Sequence, residues 1–245
     1  MTTSPKSDLA CLREGTRFLA SRPLAVLGIA ALGTLLFALA AWIQLRAGLP
    51  DDQTVEQLVT FAGLVPLELY FIPRLMIALD AQSAQHPLNL PDAWKHHFEE
   101  RWLRAFGAKV LLSLAAGLGL VLLVLPGLMV LMMFGWVPLR VLLRGESLLQ
   151  AARNSLQMMI HAWPRVLLVG SAIAMVYLAS TYGMDLLLDH FVPDAGPWAR
   201  LTHPLVWVVD FAASLVSIWV SASFLALYHK VEQLPAAADP AGLSR

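Results

Sequence analysis

The chain has 245 residues, of which 58% are hydrophobic and only 14% are charged, and its mean hydropathy is +0.65. Soluble domains carry about 25% charged residues, so this composition and its long apolar runs exclude an ordinary soluble protein and indicate a membrane protein. The 17 Lys and Arg residues balance the 17 Asp and Glu residues, which gives no reason to expect nucleic acid as a partner, and the single cysteine, Cys11, excludes an intrachain disulfide.

Six apolar segments follow one another along the chain. A hydrocarbon core of ~30 Å needs about 20 apolar residues in each crossing helix. We therefore predict an all-α fold, a polytopic membrane helical bundle in one domain, residues 1–234, followed by a disordered tail, residues 235–245. The predicted spans are about 24–45, 56–80, 104–125, 127–143, 164–188 and 204–229.

The first span has a second interpretation as a secretory signal peptide, because residues 38–40 form an A-x-A pattern like a cleavage site. The apolar run continues through Trp42 and Leu45, however, and the long segment before it contains Glu14. We expect an uncleaved first span. Small residues such as Gly28 and Gly33 are expected to let other helices approach it closely.

Amphipathic segments precede several of the spans. Before the third span, Pro91-Asp92 is typical of a helix start, and aromatic residues recur every fourth position over 91–106. In segment 146–160 the apolar residues recur at helical spacing and the polar residues fill the other face, and the N-terminal segment has the same pattern. We predict interfacial helices close to the membrane plane, although simple packing on the bundle explains the same pattern. The unit of amphipathic helix, span, turn and span then occurs three times.

The third and fourth spans form one apolar stretch that is interrupted by Pro126-Gly127. A Pro-Gly pair favours a turn, so we predict a hairpin with a minimal exterior turn at 126–127. The alternative is one long kinked helix, which would extend far beyond the bilayer.

Basic residues determine the expected orientation. All of the 17 Lys and Arg residues except Arg46 and Arg200 fall in segments on one side of the six predicted spans. Cytoplasmic loops carry such an excess, so both termini are predicted in the cytoplasm, with exterior loops near 46–55 and 189–203.

Two acidic residues fall inside predicted spans. Glu68 lies near the middle of the second span, and Asp210 lies near the outer end of the sixth. Carboxyl groups at such depths are functional candidates, although neutral carboxyls that fix helix packing give the same pattern. Together with neighbouring polar side chains they form a candidate intramembrane site: Glu68, Arg74, Asp210, Ser214 and Ser217.

Residues Asp210, Ser214 and Ser217 are spaced to lie on one face of the sixth span. Lipid tails offer no hydrogen bonds, so this face should turn toward the bundle. The partners expected for Asp210 come from the second and fifth spans: Glu68, Tyr177, Thr181 and Tyr182.

The chain offers no complete catalytic constellation. Glu99, Glu100 and Arg104 match E-E-x-x-x-R, which resembles the first motif of CAAX-type intramembrane proteases, but the companion F-x-x-x-H is absent. These glutamates are expected to belong to a solvated helix face. The histidines form no metal-binding pattern, so no catalytic residue, metal or cofactor is predicted.

Residues 119–169 combine an apolar run, Pro126-Gly127, a second apolar span with Pro138 near its inner end, a short charged break, and a helix that carries Arg153 and ends at Trp163. This segment resembles the YciC-like bacterial inner-membrane proteins and the related membrane domain of some glycerophosphoryl diester phosphodiesterases. The resemblance implies the bacterial inner membrane and a non-enzymatic domain, because the phosphodiesterase activity of those relatives belongs to a separate soluble barrel.

These observations lead to a non-enzymatic inner-membrane protein with an envelope-maintenance or scaffold role and with membrane lipids, and other membrane proteins, as partners. The alternative is a transporter or lipid-handling protein that uses Glu68 and Asp210, and a third interpretation is an intramembrane hydrolase. A water-filled cavity at Glu68 would favour transport, and a dry bundle would favour the scaffold.

Overall fold

A computed structural model describes residues 10–48, 71–83, 99–122, 124–192 and 197–233. Within these ranges every regular element is a helix, which confirms the all-α prediction there. The helices are Ala10–Ala20 (α1), Pro23–Arg46 (α2), Ile72–Ser83 (α3), Glu99–Leu122 (α4), Val124–Phe134 (α5), Val137–Arg144 (α6), Leu148–Phe191 (α7), Pro197–Thr202 (α8) and Pro204–Glu232 (α9).

Three of the described helices, α2, α7 and α9, are long and apolar enough to cross a membrane. They coincide with the first, fifth and sixth predicted spans. Most of the second predicted span, including Glu68, lies outside the described residues, as do the first part of the predicted 91–106 helix and the exterior loop 46–55 beyond Gly48.

The long helices present large apolar side chains at the protein surface. On α7, Met175 and Leu178 are each 65% exposed, and on α2, Leu35 is 54% exposed. An apolar surface of this kind is unfavourable in water and favourable in lipid. These helices are therefore membrane-associated.

The chain turns back on itself between α4 and α6, as the predicted hairpin requires. Helix α4 is described to Leu122 and α5 from Val124, and Pro126-Gly127 lies within the described part of α5, so these two residues are helical rather than a turn. Ala105 and Ala108 of α4 pack against Val137 of α6, which shows that the chain turns back on itself.

The fourth predicted span is two helices rather than one. Helix α5 ends at Phe134, and α6 begins at Val137 after a turn at Gly135-Trp136. Pro138 lies at the start of α6, where its missing N–H is tolerated, whereas inside a continuous helix it would leave a carbonyl without its bond.

The predicted 146–160 helix and the fifth span are one helix, α7, with Pro164 inside it. Its 44 residues rise about 66 Å at 1.5 Å per residue, about twice the ~30 Å hydrocarbon core. The sequence contains a proline but no Gly or Asn cap between the two predicted elements, and Pro164 alone does not end the helix. The separate membrane-plane helix over 146–160 is thus not observed as an element of its own.

The chain divides into two compact units. The first comprises residues 1–12, 76–171 and 224–245, and the second comprises 13–75 and 172–223. The core of the first unit is built from small and aliphatic side chains: Ile77, Ala78, Ala105, Ala108, Val137, Val141, Leu142 and Ala151.

In the second unit, α1 approaches α9 very closely. A Cβ atom on Gly15 would lie 2.8 Å from both the Cα and the backbone N of Ser223. One turn away on α9, the indole of Trp219 donates a hydrogen bond to Thr16 Oγ1 at 3.1 Å. Gly28, one of the small residues expected from the sequence to allow such a contact, instead has open space around it.

Candidate functional site

A buried arginine occupies the centre of a charged network in the first unit. Arg140 on α6 is 8% exposed, and its guanidinium donates two hydrogen bonds to the carboxylate of Glu146, from Nε at 2.9 Å and from Nη2 at 2.5 Å. Gly145, which ends α6 with φ +67°, reverses the chain between the two residues. A bidentate pair of this kind fixes both position and orientation.

The side of Arg140 away from Glu146 faces α9. Its Nη1 donates to the hydroxyl of Tyr228 at 3.5 Å, and that hydroxyl donates to Glu232 Oε1 at 2.9 Å. Arg144, one turn after Arg140, makes a second bidentate pair with Glu232, with distances of 3.1 Å and 2.6 Å. The C-terminal end of α9 is thus bound to α6 by two arginines.

Helix α3 joins the network through Asp80. One carboxylate oxygen lies 3.3 Å from Nε2 of His229 on α9, and the other lies 3.8 Å from Nη1 of Arg144 on α6. The side chains of Asp80 and His229 are 16% and 15% exposed. We call the six ionisable groups Asp80, Arg140, Arg144, Glu146, His229 and Glu232, together with Tyr228, the charged cluster.

Aromatic and sulfur-containing side chains enclose the charged cluster. The ring of Trp136, which is 1% exposed, stacks on Phe224 at 4.2 Å and tilts against Tyr228 at 5.6 Å between centroids. The thioether of Met158 on α7 accepts from Arg140 Nη1 at 3.0 Å. A weakly hydrated guanidinium suits such surroundings better than a strongly hydrated ammonium.

Ion pairing shifts the titration of the groups outside the apolar helices. Burial alone would raise the pKa of Glu146, but the hydrogen bonds and positive charge of Arg140, with a hydrogen bond from Asn154, leave that pKa below its ordinary value. The hydrogen bonds to Glu232 outweigh burial and raise the pKa of Arg144 further above its ordinary value. Both groups stay charged near neutral pH.

The charged cluster is suited to holding helices together rather than to capturing an anion. The donors of Arg140 and Arg144 point at carboxylates of the same chain, so an incoming phosphate or carboxylate would have to displace them. Within the described part of the chain, no three His, Cys, Asp or Glu residues lie close enough to hold a metal ion.

The predicted intramembrane site is only partly described. Glu68 lies outside the described residues, and Arg74 lies on α3. Asp210, Ser214 and Ser217 lie on α9, where Ser214 is buried and the other two are half-buried. The hydroxyl of Ser214 donates to the backbone carbonyl of Asp210 at 3.0 Å, a bond within the helix that any serine can make.

The residues expected to face Asp210 from α7 are exposed. Tyr177 and Tyr182 are 42% and 67% exposed, and Thr181 donates its hydroxyl to the carbonyl of Tyr177 in its own helix. Glu99 and Glu100 begin α4, and their side chains lie outside the description. A shallow depression elsewhere on the second unit is lined by Leu201, Thr202, Pro204 and Trp207.

The charged cluster was not predicted from the sequence. In the sequence its arginines serve only as orientation signals, and Asp80 and Glu232 carry no predicted role. One signal was available: the predicted inner ends of the second, fourth and sixth spans each carry ionisable groups, at Asp80, Arg140 and Tyr228. Groups at the same membrane depth can meet, but the sequence does not give the order of the helices in the bundle.

Comparisons with protein-family models, with curated proteins and with solved structures find no match to this chain.

Proposed function

We propose that the chain is a non-enzymatic, multi-pass protein of the bacterial inner membrane, related to the YciC-like proteins, with a scaffold role in maintaining the envelope. The observation that carries the membrane topology is the charged cluster. Asp80, Arg140 and Tyr228 come from the predicted inner ends of three different spans, and they meet in one place. Residues that meet in this way lie on the same side of the membrane, which requires an even number of crossings between them. The contacts therefore support the proposal of six spans with both termini in the cytoplasm.

The scaffold role is supported by how the charged groups are used. Arg140 and Arg144 are each bound to carboxylates from this chain, and these bonds join α6 to α9 and to the short segment that precedes α7. Such a network fixes helices relative to one another, which a protein that organises lipids or other membrane proteins requires. The exposed apolar helices offer the matching lipid-facing surface.

Topology is tested with fusions to a reporter enzyme that is active only in the periplasm. We expect activity for fusions at Asp51 and Asp194, and none for fusions at Lys95 and Gln150. Activity at Lys95 would contradict the proposed orientation, because the basic segment would then lie outside.

The scaffold role is tested in the native host by deleting the gene and measuring dye entry across the envelope. We expect increased dye entry, restored by the wild-type chain and by the Glu99→Ala, Glu100→Ala double variant. Normal envelope permeability in the deletion strain would contradict the envelope role. Failure of the double variant at normal expression would instead favour the hydrolase interpretation.

A transporter or lipid-handling protein remains the second candidate, because Asp210 is a half-buried carboxyl inside an apolar helix. A charge at mid-span costs ~2.5–3.5 kcal/mol, and ionisable residues within spans, such as Asp210 near the outer end of α9, are functional candidates. Asp210→Asn keeps the shape and the hydrogen-bonding capacity but cannot ionise. Loss of complementation by Asp210→Asn, with normal expression, would favour transport over the scaffold role.

A further inference from the structure

The middle of α7 is exposed around nearly its whole circumference. From Ala174 to Tyr182 no residue is buried, and Ser180 is the only one of them that is half-buried. Met175 and Leu178, which are each 65% exposed, show that the exposed side chains include large apolar ones. This part of α7, which belongs to the second unit, is therefore covered by lipid or by another protein.

One side of this stretch combines a small residue with two hydroxyl groups. Ala174, Tyr177, Leu178 and Thr181 are spaced by three, one and three residues, so they share one side of the helix. Tyr177 is 42% exposed and Leu178 is 65% exposed, and Ala174 and Thr181 are exposed as well. We call these four residues the α7 face.

The hydroxyl of Tyr177 is poorly suited to contact with lipid. Tyr177 is next to the centre of the predicted span 164–188, where the bilayer offers no water to hydrogen-bond. None of the described residues accepts a hydrogen bond from this hydroxyl, and the bond from Thr181 goes to the backbone carbonyl of Tyr177. Because a polar group without a hydrogen bond is unfavourable in hydrocarbon, a polar partner is favoured over lipid at this position.

A second copy of this chain provides such a partner at the required depth. All copies insert in the same orientation, so the two-fold axis of a dimer runs along the membrane normal and places each position of a central helix beside itself. A hydroxyl group both donates and accepts, so two Tyr177 side chains can bond each other, which two carboxylates or two ammonium groups cannot do. The α7 face is thus complementary to itself.

Ala174 makes the close approach of two such helices possible. Side chains of a helix point toward its N-terminus, and Ala174 lies about one turn from Tyr177 in that direction. A small side chain at this position leaves room for the tyrosine ring of the other copy and lets the two backbones come close.

We propose that the α7 face is the interface of a homodimer, in which α7 packs against α7 of a second copy and the two Tyr177 hydroxyls hydrogen-bond at the centre. The opposite side of α7, which carries Ala179, stays in contact with lipid. This inference rests on the membrane placement of α7 under the proposed function, and it adds a symmetric assembly to that function.

The dimer is tested by cysteine cross-linking at two matched alanines. Ala174 and Ala179 are both exposed, but they point about 140° apart around a helix of 3.6 residues per turn. A disulfide requires Cα atoms within about 7 Å of each other, which only facing positions of packed helices reach. On oxidation of native membranes with copper phenanthroline, we expect a covalent dimer for Ala174→Cys. We expect none for Ala179→Cys or for the wild type, whose single cysteine, Cys11, is buried.

The cross-link of Ala174→Cys should persist after the membranes are fused with an excess of lipid, because random collisions become rare on dilution. No cross-link at Ala174→Cys, or equal cross-linking at the two positions, would overturn the dimer. A water-soluble maleimide should label Ala179→Cys poorly. Ready labelling would contradict the membrane placement of α7 itself, which separates failure of the proposed function from failure of the dimer alone.

A second measurement keeps the native cysteine and uses two tyrosines of the same helix. Energy transfer between labelled full-length chains, followed as the lipid-to-protein ratio rises, gives the dissociation constant of the dimer. Tyr177→Phe should raise that constant about threefold, which corresponds to the loss of one interhelical hydrogen bond of ~0.6 kcal/mol. The control Tyr182→Phe, at a 67% exposed position outside the α7 face, should leave it unchanged. A monomer at every ratio, or equal constants for the two variants, would overturn the proposal.

Discussion

Replacing Arg140 by methionine is the perturbation that best tests the assignment of the charged cluster. Methionine has nearly the same length as the arginine stem but leaves the Glu146 carboxylate without its two charge-assisted hydrogen bonds. The side chains of Arg140 and Glu146 are 10% and 12% exposed, so water replaces little of what is lost. Breaking a buried pair on one side costs about 3–5 kcal/mol.

The lower end of that range applies because the cluster lies at the end of its helices, where some water reaches it. A loss of about 3 kcal/mol lowers the unfolding midpoint by about 6–12 °C in a chain of 150–250 residues. The assay is tryptophan fluorescence during heating of the purified protein in mild detergent. All variants are compared at one scan rate, because unfolding of such proteins is often irreversible.

The matched control is Arg144→Met on the same helix. The Arg144 side chain is 39% exposed and its partner Glu232 is 27% exposed, so this pair resembles a surface ion pair worth about 0–1 kcal/mol. Its midpoint should therefore fall by less than about 4 °C. The double variant Arg140→Met, Glu146→Gln should recover part of the loss, because the stranded carboxylate is gone. Equal destabilisation by the two single variants would refute the distinction between a buried and a solvated pair.

Three further predictions concern Gly145, Gly15 and the acid dependence of Glu146. Gly145→Ala should lower the unfolding midpoint by several degrees, because φ is +67° there and the new methyl group would meet the guanidinium of Arg101; a midpoint within 1 °C of wild type would contradict this. Gly15→Ala should lower the unfolding midpoint, because the new methyl group would meet the backbone of Ser223. The control Gly28→Ala lies in open space and should leave the midpoint unchanged. Similar midpoints for the two variants would show that the α1–α9 contact is loose. Because the pKa of Glu146 is lowered, its contribution to stability is complete above pH ~4.5 and is lost as the pH falls through the folded-state value. As the pH is lowered, the unfolding midpoint should therefore fall less steeply for Glu146→Gln than for wild type. Parallel plots of midpoint against pH for the two proteins would exclude this contribution.

The sequence alone was sufficient to predict the class of protein and the positions of its long apolar helices. The apolar runs predicted α2, α7 and α9 to within a few residues at most ends, because a segment of about 20 apolar residues has few alternatives to a membrane helix. Helix breaks were less predictable. Pro126-Gly127 predicted a turn, but these two residues lie within the helical segment Val124–Phe134.

Only the tertiary structure decided which polar residues interact with one another. Asp80, Arg140 and Glu232 are far apart in the chain, and their charges read separately as orientation signals or as solvated helix ends. Helical periodicity tells which residues share a face of one helix, but it says nothing about which helix lies opposite. The charged cluster exists because α3, α6 and α9 end side by side, and that arrangement is fixed by the packing of small and aliphatic side chains such as Ala78, Val137 and Val141.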